Sequence, residues 1–254
     1  MIQALNTAAV GMKSQQLALD TVANNIANIN TVGYKKDRVN FQDALYVRMQ
    51  DASNADSTAN LQKGTGALIG SVSKIFTATS IMDTGAPLDV ALETQEAFFV
   101  LEDSETGERY TRDGNFQLSE EDGGNYLVTQ SGEYVLDTNR NRIAIDCPME
   151  KLHIDERGNI TDGRNSFGRL ATVTFANTSG LEKMGGNTYR ANASSGAAEN
   201  VNDAVFRQGY LENSNVDLGQ EVTNMIKAQR AYQLASRILT VSDQMEEKAN
   251  NLRR

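Results

Sequence analysis

The side chains best suited to chemistry are few in this chain, and they do not converge. His153 is the sole histidine and sits between Leu152 and Ile154 in a run that reads as a strand, the setting of a satisfied or surface imidazole rather than a general base. Any Ser/His/Asp triad would have to use it. Asp155 and Glu156 follow at once, but neighbouring strand residues point to opposite faces, so they make no paired-carboxylate site. A single histidine cannot form a His cluster for a metal. Cys147, also alone, can neither close a disulfide within the chain nor build a Cys-based zinc site, and it reads as a small buried hydrophobe. GTGALIG at 64–70 lacks the Gly-Lys-Ser/Thr ending of a phosphate-binding loop and reads as the entry to a β region. Glu102, Asp103, Glu105, Glu120, Glu121 and Asp122 cluster near turn signals as solvated loop charge, with a weak cation site as the alternative. No enzyme signature emerges, and no cofactor is expected.

Composition bounds the partners. The 254 residues carry 24 Lys+Arg against 33 Asp+Glu, a net charge of -9, which argues against binding to nucleic acid or acidic lipid surfaces. The start, MIQALNTAAVGMKSQQ, lacks a basic opening, an apolar run and a small-residue cleavage site, so a cleaved secretory signal is not expected. No segment approaches the roughly 18 apolar residues of a membrane span.

The two ends read as helices. From Ile2 the apolar or small positions run Leu5, Ala9, Met12, Leu19, Ala23 and Ile26, with Gln16 as an exception; this alternating three-four spacing is the seam of a coiled coil. A helix is expected over about residues 2–30, stopped near Gly33 with Lys35 and Lys36 at the negative end of its dipole. Leu218, Val222, Met225, Gln229 and Tyr232 form a second seam, and Ala231, Leu234, Ile238, Val241, Met245 and Leu252 continue beside it, the drift expected of a long helix. Between the ends, FFVLED, RYTRDGNFQL, NYLVTQSGEYVLD, KLHIDERGNIT, RLATVTFAN and NTYRANA read as strands, punctuated by Asp113-Gly114, Gly123-Gly124, Arg157-Gly158 and Gly185-Gly186. The expected class is α+β: an N-terminal helix over 1–34, a connecting extension over 35–67, a central antiparallel β domain over 68–210 and a C-terminal helix over 211–254.

ANNIANINTVGYK at 23–35 closes the first helix with Asn24, Asn25, Asn28 and Asn30, residues that offer the backbone competing hydrogen bonds and do not suit a solvated helix. From Met1 to Tyr34 only Lys13 and Asp20 are ionised, far fewer charges than a face bathed in water carries. Amides can pair with neighbouring chains without desolvating a charge, so the asparagines read as packing groups of an assembly. A fraying, Asn-rich helix end is the alternative.

With that stretch and GYLENSNVDLGQEVTNMIKAQRAYQLASRIL at 209–239 in view, the chain closely resembles the bacterial flagellar rod and hook axial proteins. Gly33 and Tyr34 fall in the amino-terminal signature; Gly209, Leu211, Glu212, Ser214, Asn215, Val216, Glu221, Met225, Ile226, Gln229, Arg230, Ala231 and Tyr232 fall in the carboxy-terminal one. Pro87 to Ala91, Phe98 to Val100 and YTRDGNF at 110–116 also look like blocks of rod members. A departure lies at 93–97, ETQEA, where the family usually has glycines. The resemblance implies a subunit of a hollow helical tube of the flagellar basal body. Its terminal helices would form an inner domain around the export channel, with Leu5, Met12, Leu19, Ile26, Ile238 and Met245 among the packing residues. Implied partners are copies of itself, other rod and hook subunits, the export apparatus and surrounding rings, reached by type III export without cleavage to a site outside the cytoplasmic membrane. Hook members are usually longer, so rod is preferred, and the 214–232 block looks more like the distal than the proximal rod class. A monomeric secreted adhesin or glycan-binding β domain, and more remotely a two-carboxylate glycan hydrolase, are the readings of other kinds.

Overall fold

In a computed structural model, residues 2–48, 62–77, 79–103, 107–121 and 123–252 are described, and the chain divides into two compact units. The first takes residues 1–27, 37–73 and 217–254, the second 28–36 and 74–216.

In the first unit, half of α1 (Ile2–Ala27) is Ala, Leu, Gln or Met and no proline lies inside it, which favours helix despite its asparagines and Gly11. It ends just before Asn28, where the chain turns and Thr31 N donates to Asn28 O. α2 (Leu218–Leu252) starts at Asp217, whose carboxylate accepts from Gln220 N at 3.0 Å as an N-cap, and Glu221 lies in its first turn, where negative charge meets the positive end of the dipole. The two helices pack on one another. The stretch expected as a connecting extension contributes β1 (Asp37–Asp43), β2 (Tyr46–Arg48) and β3 (Gln62–Gly64), followed by β4 (Ala67–Lys74). β1 pairs with β4, and β2 pairs antiparallel with β3 from Tyr46 opposite Gly64 to Arg48 opposite Gln62. A two-stranded ribbon is marginal on its own; here α1 supports it, with Ser14 Oγ donating to Ala67 O at 3.1 Å. Residues 49–61 of that expected extension lie outside the described residues.

The second unit is the β domain. β5 (Ile81–Asp83) and β6 (Val90–Leu92) lead to β7 (Phe98–Asp103), which runs antiparallel to β8 (Gly107–Thr111) from Phe99 opposite Thr111 to Asp103 opposite Gly107. These two lie at the centre of a six-stranded sheet ordered Glu182–Gly185, Thr188–Arg190, β8, β7, Thr172–Thr174, Glu199–Asn200. Alternation along FFVL sends Phe99 and Leu101 to a core with Val90, Phe116, Ile143 and Phe206, while Phe98 and Val100 face a second core with Tyr110, Val173, Phe175 and Tyr189. Both faces of β7 are therefore buried, which is why its sequence reads as a continuous apolar run. Burying each such side chain stabilises by about 1.5–3 kcal/mol. The Asp113-Gly114 turn packs against β6 so closely that a Cβ on Gly114 would stand 1.8 Å from Val90 O, so only glycine fits. β6 pairs with Phe206–Gln208 and β5 with Tyr210–Glu212, both antiparallel, and this fixes the last residues of the unit. Two helices bracketing a mostly antiparallel β region give the expected α+β class.

Candidate assembly surface

Within the first unit, the buried positions of α1 among the described residues are Ala8, Ser14, Ala18, Val22 and Asn25; all but Ser14, which faces β4, lie one residue before a position of the seam expected from sequence. Leu5, Met12, Leu19 and Ile26 lie half-buried beside them, while Ala9, Gln16 and Ala23 are exposed. On α2 the buried residues are Glu221, Ala228 and Ser242, and Met225 is half-buried. Leu218, Val222, Ile226, Tyr232, Leu234, Val241 and Met245 are exposed, and Ile238 is 53% exposed; Gln229 and Arg230 also face outward. Small side chains let two helix backbones approach closely, and the same geometry leaves the large side chains without cover. Of the buried set only Ala8, Ala18, Val22 and Ala228 are apolar, so hydropathy alone cannot say which helix face its own chain buries.

Asn25 is 1% exposed. Its Nδ2 donates to Asp37 O at 2.9 Å and to Glu221 Oε2 at 3.3 Å, and its Oδ1 accepts from Asp37 N at 2.9 Å. The end of α1, the start of β1 and the first turn of α2 are thus joined by one amide. Asn24 is exposed, and Asn28 is half-buried and accepts from Thr31 Oγ1 at 3.1 Å. A groove of about 530 Å³ opens between α1 and β4, lined by Val10, Leu17, Leu68 and Ile69 with Lys13 and Asp20 on its walls.

The remaining signature residues fall in the second unit and converge there. Gly33, at φ +66, would place a Cβ 2.9 Å from Asp113 N; its N donates to Glu212 O at 2.9 Å. Lys35 Nζ donates to Glu212 Oε1 at 2.6 Å and to Thr77 O at 2.9 Å. Arg112 Nε donates to Glu212 Oε2 at 2.7 Å, and its Nη atoms reach the carbonyls of Ala97, Thr94 and Leu92 at 2.6, 3.3 and 3.3 Å. Lys35, Glu212 and Arg112 are 1%, 3% and 4% exposed. Burial pushes the Glu212 carboxyl up, but Arg112 and then Lys35 outweigh it and hold it below the usual carboxylate range. Burial lowers the Lys35 ammonium, against the pull of Glu212. Asn215 joins the same region: its Oδ1 accepts from Lys36 N at 2.6 Å and its Nδ2 donates to Ile75 O at 2.6 Å. Ser214 Oγ accepts from the N of the buried Val216 at 3.3 Å. The sequence reading assigned Lys35 to the helix dipole and missed this cluster. Lys35 in VGYKK, Arg112 in YTRDGNF and Glu212 in GYLENSNV, charges placed inside the signature blocks themselves, are the signal that could have found it.

His153 is exposed at the rim of a cleft of about 410 Å³ that Glu93, Asp155, Glu156 and Arg207 also line. Among the described residues, no three His, Cys, Asp or Glu side chains form a metal-holding group, and no helix is long and apolar enough to cross a membrane.

Paired terminal helices with an uncovered aliphatic face, joined to a β domain that buries a Lys35–Glu212–Arg112 ion cluster, define a structural subunit built to pack. The sequence comparisons specify which. The family described as flagella basal body rod protein matches residues 5–35, the flagellar basal body rod FlgEFG protein C-terminal family matches 207–252, and the flagellar hook protein FlgE/F/G D1 domain matches 94–162. The chain is 37% identical over 269 residues to the flagellar basal-body rod protein FlgG of Bacillus subtilis, covering 100% of both. It is 36% identical over 261 residues to FlgG of Agrobacterium fabrum, covering 96% of this chain and 97% of the relative. The flagellar basal-body rod protein FlgF of Caulobacter vibrioides is 35% identical over 237 residues, 92% of each. The chain belongs to the flagellar basal-body rod protein family, and within it is most like FlgG.

Proposed function

We infer that this chain is a structural subunit of the distal flagellar rod, polymerising into a hollow helical tube that transmits torque and forms part of the export channel. The observation that carries this is the contrast along α2: Glu221, Ala228 and Ser242 are buried within the chain, while the aliphatic Val222, Ile226, Leu234 and Ile238 are exposed and would pack on neighbours. In the polymer the paired helices form a coiled-coil-like inner layer, and copies of the chain, other rod and hook subunits and the surrounding rings are its partners. It works outside the cytoplasmic membrane, having passed through the flagellar export apparatus uncleaved, and it is no enzyme. A proximal-rod or hook-type axial subunit is the second reading, favoured by the likeness to FlgF over most of the chain.

Deleting the gene in its host and counting basal bodies tests this. A distal rod subunit leaves basal bodies that lack a hook and carry a shortened rod, and supplying the chain in trans restores both. Full-length rods with hooks in the deletion strain would overturn the reading.

A further inference from the structure

The chain passes between its two units at four places: after residues 27, 36, 73 and 216. Three of these exits meet at one side chain inside the second unit. Asn215, next to the last exit, accepts from Lys36 N and donates to Ile75 O, and its second Nδ2 contact is Thr77 Oγ1 at 3.2 Å. Its own N donates to Tyr34 O at 3.4 Å, and Ile75 N donates to Lys36 O at 3.0 Å. Lys74 Nζ donates to Lys35 O at 2.5 Å and lies 4.3 Å from the centroid of the Tyr34 ring.

We propose that Asn215 is a positioning residue that clamps the three exits into one rigid group, so that load leaving the β domain along the chain is shared by three strands rather than carried by each alone. Asparagine suits the place because it offers an acceptor to one exit and donors to another on a short, stiff side chain. Lysine would offer donors but no acceptor for Lys36 N, and aspartate an acceptor but no donor for Ile75 O. That cluster supplies the foundation: Glu212, three residues before Asn215, is held by two buried cations, so the clamp is mounted on a fixed point.

The load-sharing part rests on the rod reading, whereas the clamp itself does not, and two measurements separate them. In the full-length purified chain, hydrogen exchange at the Lys36 amide should quicken about five- to tenfold in Asn215→Ala, since one hydrogen bond is lost. Exchange at Leu127 and Val135 in the core should not change. Asn215→Asp keeps the acceptor and should return Lys36 to the parental rate while leaving the 75–77 exit loosened. An unchanged Lys36 rate in Asn215→Ala overturns the clamp. In host cells, Asn215→Ala should give basal bodies at parental yield and normal swimming in dilute medium, with swimming lost in medium thickened by methylcellulose. Parental swimming in thick medium, or loss of basal bodies altogether, overturns load sharing and leaves a purely local role. If deletion of the gene has no effect on motility, the rod reading fails while the exchange result stands.

Discussion

Asn25 and Glu221, separated by 196 positions in sequence, meet at 3.3 Å with both side chains buried, so the end of α1 and the first turn of α2 are held in one register by a neutral amide against a carboxylate. Asn25→Asp keeps the acceptor for Asp37 N but replaces the donor with a second negative charge. The helix pair should lose about 2–3 kcal/mol at pH 7, read as a lower urea midpoint by far-UV circular dichroism. Asn24→Asp, on an exposed position, should stay within about 0.5 kcal/mol of the parent. Equal losses for both would remove the register role of Asn25.

Glu212 is the counter-charge for two buried cations. Glu212→Gln should cost the β domain about 3–5 kcal/mol at neutral pH, the range for breaking a buried ion pair on one side. The acid limb should change as well. The folded carboxyl sits below its unfolded value, so between those values the unfolded chain binds more protons; the stabilisation is present above the ordinary carboxylate range and disappears as pH falls through the folded value. Urea midpoints between pH 2 and 7 should show that slope in the parent and a shallower one in Glu212→Gln. Parallel slopes would show that other carboxylates govern acid unfolding.

Glu96 adopts φ +64 and is exposed, within ETQEA at 93–97. A left-handed conformation costs a non-glycine residue about 1–2 kcal/mol, and no packing is lost on removing this side chain. Glu96→Gly should therefore raise β-domain stability by about 0.5–1 kcal/mol after the greater freedom of the unfolded glycine is counted. Calorimetry checks it: a lower midpoint would mean that Glu96 makes a compensating contact.

Two Asp substitutions on α2 separate packing within the chain from packing between copies. Ala228 is buried and Ile238 exposed, and Asp carries the same poor helix propensity at either place. Ala228→Asp should destabilise the isolated chain by about 3 kcal/mol. Ile238→Asp should leave its melting within about 0.5 kcal/mol and still abolish rod formation, seen as monomer in sedimentation velocity and as absence of hooks in complemented cells. Rods formed by Ile238→Asp would place the interface elsewhere.

The helices were legible because three-four spacing over 26 and 35 residues survives any choice of partner. Their shared face was not: Ala8 and Ala18 are as apolar as Ala9 and Ala23, and only the backbone distance between helices selects the former. Strands β1 to β3 were hidden because they are short or largely polar and the ribbon they join leans on α1 rather than on a core of its own. The charge cluster was hidden for another reason. Lys35 and Glu212 lie 177 positions apart, and a buried lysine is spelled like an exposed one. The signature residues pointed to the right region without revealing that Gly33 and Asn215 serve backbone approach and strand clamping.

In the proposed polymer, the uncovered aliphatic row on α2 would also set how growth proceeds. The small residues buried on the two helices need no second copy, so the free energy of joining would come from large side chains that neighbours cover, at about 25 cal/mol per Å² of apolar surface. A first contact covers part of that row and is weak; a copy seated among several neighbours covers most of it. Polymerisation of this kind has a costly nucleus and a critical concentration, below which free copies stay dispersed and above which they add to an existing tip rather than start new tubes.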